Sequence, residues 1–278
     1  VGPLLVVSVL LGFLTIGFPV VFSSQIPPYI QTVWFNKLSS LAEGVAMLVV
    51  LLWIMGKENR QLLWSMTRLP EPRYAALGLS FPIGITGFIS TAQYLLARAQ
   101  WATHDFGREV PPTFGSFFAV PDPRLYLLIF SALFEEMIFR GLLQRRFIQR
   151  YGVYRGIFLV EISWAAFHFH SDVSFSRATI TGALTILGSR VAMCLILNYV
   201  FGWLTLRFSS IIPAVFSHAF YNVFVYSEFG PPFPGKTAVR LGLWAVLAWA
   251  LFHYWPVQVE QDSAQESAQV APIPECAL

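Results

Sequence analysis

Residues 127–143 read LLIFSALFEEMIFRGLL, and this stretch decides the fold. It is apolar enough to sit in a bilayer, yet it carries Glu135, Glu136 and Arg140. Placing an acidic residue at membrane depth costs roughly 2.5–3.5 kcal/mol on the insertion scale. Two adjacent acids therefore need a reason, and the default reading of an intramembrane ionisable residue is a functional site.

The rest of the 278-residue chain is of the same kind. It is 56% hydrophobic and 12% charged, with mean hydropathy +0.61. A soluble domain carries about twice that charge fraction. Apolar runs of about 20 residues recur along the chain, which predicts an all-α fold, a polytopic transmembrane helical bundle. The net charge of +3 gives no reason to expect nucleic acid. We expect about eight spans, near 3–22, 41–56, 74–98, 125–143, 153–170, 179–206, 210–227 and 238–256. The first apolar run is too long for a signal-peptide core and reads as a span. The chain divides into three regions: spans one to three with a polar, Pro-rich loop (1–124), a core (125–257), and a polar tail (258–278) of disordered composition. Cys194 lies in an apolar run and Cys276 in the tail, so no disulfide framework is expected.

Basic residues set the orientation. Lys57, Arg60, Arg68, Arg73, Arg145, Arg146, Arg150, Arg155 and Arg207 fall on one side of an eight-span layout. Lys37, Arg98, Arg108, Arg124, Arg177, Lys236 and Arg240 fall on the other. The positive-inside rule then places both termini in the cytoplasm, in a plasma membrane of prokaryotic type.

The polar residues inside the spans carry the chemistry. Glu136 and Arg140 are four apart and share a helix face, so they can form an internal ion pair. Glu135 points about 100° away and is left to face another partner. His168 and His170 are two apart and cannot both face one site. Glu161 lies two turns before His168 on a similar face and reads as part of an interhelical network. His218 and Asn222 share a face and offer two donors to one point, which suits an oxyanion. Each has a structural alternative: an ion pair for Glu136 and Arg140, interhelical hydrogen bonds for His168, His218 and Asn222. The combination on three spans argues for chemistry.

These residues resemble the CPBP intramembrane proteases. The family includes the type II CAAX prenyl endopeptidases, of the Ras-converting-enzyme type, and bacteriocin-processing relatives. Its pattern is E-E-x-x-x-R, then aromatic-x-x-x-H, then H-x-x-x-N. Here these read Glu135-Glu136-Met137-Ile138-Phe139-Arg140, Trp164-Ala165-Ala166-Phe167-His168 and His218-Ala219-Phe220-Tyr221-Asn222. The likeness covers about 125–227, with Trp164 where Phe is usual. It implies an endopeptidase that cleaves a membrane-tethered protein tail. Glu135 would activate water, His168 would orient it, Glu136 and Arg140 would shape the site, and His218 and Asn222 would hold the oxyanion. No cofactor is implied. Glu135, His168 and His218 are also zinc-ligand types, so a zinc metalloprotease is the alternative, although H-E-x-x-H is absent. A transporter, scaffold or bacteriocin-immunity factor is a further one, although the internal repeats of a transporter are not seen.

The layout of spans sets one geometric condition. Glu135 lies near the middle of span four and His168 late in span five. With the spans so drawn, the two meet only if span five begins later, after a surface turn at 151–156.

Overall fold

The computed structural model describes residues 45, 48–49, 52–53, 56–103, 127–175, 180–227 and 235–257. The expected span at 3–22, most of that at 41–56, most of the Pro-rich loop before 124 and the whole tail (258–278) lie outside them. The described elements are α1 (Lys57–Met66), α2 (Pro72–Thr103), α3 (Leu127–Glu136), a π-helical segment (Met137–Gln144), α4 (Arg145–Tyr151), α5 (Val153–Phe175), α6 (Ile180–Phe208), α7 (Ile212–Ser227) and α8 (Lys236–Tyr254). Among the described residues there is no strand.

Among the described residues, three helices are long and apolar enough to cross a membrane: Pro72–Ala99, Leu187–Phe208 and Lys236–Tyr254. A fourth, Ile212–Val225, is apolar but shorter. Of the about eight expected spans, three meet this measure among the described residues. The helices at the expected spans four and five fall short because they are interrupted or polar. α3 gives way to the π segment after ten residues, and α5 contains Arg155, Glu161, His168 and His170.

The expected end of span four at residue 143 is corrected. Helical structure runs on through the π segment and α4 to Tyr151, so Arg145, Arg146 and Arg150 lie on the helix rather than in a loop. Gly152 breaks it. Its φ of +78° lies in the left-handed region that a side chain disfavours. α5 starts at once, at Val153. The two arms then run back along each other. A Cβ on Gly156 would sit 2.6 Å from the Ile148 nitrogen, so only glycine allows this approach.

Within the π segment the i→i+5 pattern widens the turn and rotates the later residues relative to α3. All eight of its residues are buried. The core is built around it. Ile138 and Phe139 belong to one buried cluster with Val160 and Trp164 of α5, Phe201 and Leu204 of α6, Ala214 and Ala219 of α7 and Trp244 of α8. α5 packs most heavily on α6, and α2 and α3 pack on α7. Several chain turns gather at one end. Ser210 Oγ donates to the Arg68 carbonyl at 3.0 Å, Trp203 Nε1 to the Trp255 carbonyl at 2.8 Å, and Tyr154 lies 5.5 Å from Phe252, ring to ring.

Candidate active site

The hairpin of α4 and α5 brings two sequence-distant groups together. Glu135 is sixteen residues before Tyr151, and His168 is fifteen after Val153. Their side chains therefore reach the same depth, with His168 Nε2 at 3.4 Å from Glu135 Oε2. The expected condition, a later start for span five, is not met. The contact forms because the preceding helix is longer than its apolar run.

Glu135 is 7% exposed, and its carboxylate is held on both oxygens. Ser131 Oγ, one turn back, donates to Oε1 at 3.1 Å. Trp164 Nε1 donates to Oε2 at 2.8 Å. A carboxylate fixed by donors in an apolar setting keeps its place without a cation of its own. The sequence reading missed both donors. Trp164 counted there only as an aromatic, although a buried indole N–H usually finds a partner. Ser131 stands at the i−4 position, which is the available signal.

Glu136 is fully buried and divides its oxygens. Oε2 lies 3.0 Å from Arg140 Nε, and Oε1 lies 2.8 Å from His218 Nδ1. A carboxylate only accepts, so His218 carries a hydrogen on Nδ1. Its other nitrogen, Nε2, then faces Glu135 Oε2 at 3.9 Å. That gap is too long for a direct hydrogen bond and is of the kind that water bridges. Phe201 stacks on the His218 ring at 5.4 Å and 21°, which fixes its plane. The Arg140 guanidinium lies over Trp164 at 4.7 Å and Phe201 at 5.5 Å, in a cation–π clamp.

Five of the six singled-out residues therefore form one cluster: Glu135, Glu136, Arg140, His168 and His218. Asn222 lies one turn beyond His218, half-buried, with no hydrogen bond to another described side chain. His168 is the exposed edge, with 23% of its side chain open. The side chain of His170 lies outside the described residues. Among the described residues, no group of three His, Cys, Asp or Glu side chains is arranged to hold a metal ion.

Residues 123–224 match the model of the Rce1-like family, described as type II CAAX prenyl endopeptidase Rce1-like. The matched segment holds all three motifs of the site. The match supports a CAAX-type intramembrane endopeptidase, a hydrolase integral to the membrane. No curated protein matches the chain.

Proposed function

We propose that the protein hydrolyses a peptide bond in a membrane-tethered protein tail, with water activated by Glu135. The observation that carries this reading is the Glu135 carboxylate. It is anchored by Trp164 at 2.8 Å on an oxygen that also faces His168 at 3.4 Å and His218 at 3.9 Å. A water seated among these groups loses a proton to Glu135 as its oxygen attacks the scissile carbonyl. The C–N bond then breaks, and Glu135 returns the proton to the leaving amine. His168, at the open edge, orients the water. His218 donates from Nε2 to the tetrahedral oxyanion when its ring carries a second proton, since Nδ1 is engaged with Glu136. Asn222, one turn on, is the second donor. Glu136 and Arg140 hold the ring in place.

The setting belongs to the proposal too. The chain is a multi-pass bundle of about eight spans, with 125–257 as its catalytic core. It lies in a prokaryotic plasma membrane with both termini cytoplasmic, and its partners are lipid and a tethered substrate, not nucleic acid. Zinc is the second reading, because Glu135, His168 and His218 are zinc-ligand types, although among the described residues no such group is arranged to hold a metal ion.

The test is cleavage of a library of lipid-anchored peptides by the purified protein, with and without a chelator, in wild type, Glu135→Gln and His218→Ala. Cleavage that survives chelation and is lost in both variants supports the glutamate mechanism. Loss on chelation with rescue by zinc moves the three groups into ligand roles. No cleavage, with Glu135→Gln still complementing in cells, leaves a transport, scaffold or immunity role.

A further inference from the structure

Glu161 takes no part in the hydrolytic steps, and it is fully buried on α5. Neither of its carboxyl oxygens has a hydrogen-bond partner among the described residues. A buried carboxyl without a partner is costly, so each such group calls for an explanation. The complementary group is close at hand. Arg140 is also fully buried, and its terminal nitrogens Nη1 and Nη2 have no hydrogen-bond partner among the described residues either. The charges that act on Glu161 are those of Arg140 and then Glu136. The placement agrees. Glu161 precedes Trp164 by three residues on α5 and so shares its face, and the Arg140 guanidinium lies 4.7 Å from that indole ring. Asn198 of α6, 1% exposed, adds an unpartnered amide in the same core.

We propose that Glu161 is a positioning residue, the acceptor that holds the outer edge of Arg140 through buried water. Donors and acceptors facing each other beyond direct reach are joined in this way. The inner edge of Arg140 meets Glu136 at 3.0 Å, and Glu136 meets His218 at 2.8 Å. A chain of contacts thus runs from α5 through the π segment to the α7 histidine. Without Glu161 the guanidinium is held on one side only, and the His218 ring loses its fixed orientation.

The inference deepens the hydrolase reading and rests on it, so its test includes a signal independent of turnover. The full chain, labelled with ¹⁵N-histidine in lipid nanodiscs, is compared as wild type, Glu161→Leu, Glu161→Met and Glu161→Gln. We expect kcat to fall at least about tenfold in both apolar variants while KM stays within about twofold. The His218 imidazole nitrogen signals should move in both. Glu161→Gln keeps an acceptor oxygen and should retain wild-type nitrogen signals and at least about a third of kcat. Apolar variants with wild-type turnover and unmoved signals overturn the proposal, as does Glu161→Gln behaving like Glu161→Leu. If the wild type cleaves no peptide, the hydrolase reading fails and the nitrogen signals alone decide this one. If Glu161→Leu does not fold, Glu161→Met is read by the same criteria.

Discussion

At the scale of single residues, the site depends on how each oxygen of two adjacent carboxylates is satisfied. Glu135 accepts from Ser131 and Trp164, whereas Glu136 accepts from His218 and pairs with Arg140. Their neighbours give them separate roles, although the sequence writes them as a pair. Glu135→Gln keeps size and hydrogen bonding but removes the base. It should lower kcat by about 10²–10⁴-fold while substrate binding persists, measured by turnover and by peptide binding. Trp164→Phe keeps the ring under Arg140 and removes only the N–H. Losing a hydrogen bond to a charged group costs about 1.5–3 kcal/mol, so kcat should fall by about tenfold or more with KM little changed. Equal turnover in Trp164→Phe sinks the anchoring role given to the indole. The residue types of the site were legible in the sequence. Their pairings were not, because a donor such as Trp164 shows its partner only once two helices meet.

At the scale of elements, one hairpin makes the site. The sequence places the start of α5 correctly at residue 153, and it ends the preceding helix eight residues early, at 143 rather than 151. The reason is physical. Hydropathy stops at the first arginine, whereas helical hydrogen bonding continues through Arg145, Arg146 and Arg150. The π segment was also invisible, since its residues have ordinary α-helical composition. The length of that helix is what lets Glu135 reach His168. Gly156 guards the hairpin, because any side chain there meets the backbone of Ile148. Gly156→Leu should therefore destabilise the protein by about 1–3 kcal/mol and lower turnover with it. Gly84 of α2 has open space where a Cβ would go. Gly84→Ala should leave both melting and turnover unchanged, and a similar loss in both variants means that the hairpin is not special.

At the scale of the whole molecule, the arrangement of ends carries the orientation argument. The basic residues divide the chain's loops by sequence, and the structure gathers several of those loops physically. The turn after α1 is tied to Ser210 and Ile211. Tyr74 stacks on Phe208 at 4.2 Å. The turn at Gly152 lies beside the end of α8 through Tyr154 and Phe252. These ends hold Arg68, Arg73, Arg150, Arg155 and Arg207, whereas Lys236 and Arg240 stand at the start of α8, at its opposite end. By the positive-inside rule we propose that the richer end faces the cytoplasm. Single cysteines at the exposed Tyr151 and Tyr254, in a background with Cys194→Ala and Cys276→Ser, should react with an impermeant thiol reagent in inverted vesicles and not in intact cells. A cysteine at the exposed Thr237, beside Lys236, should show the reverse. Labelling of Tyr151→Cys and Tyr254→Cys from opposite sides contradicts the contact between Tyr154 and Phe252, whereas a common but inverted pattern keeps the fold and reverses the orientation. The second outcome also changes the chemistry of substrate access, because His168, the open edge of the site, sits late in α5, away from the Gly152 turn.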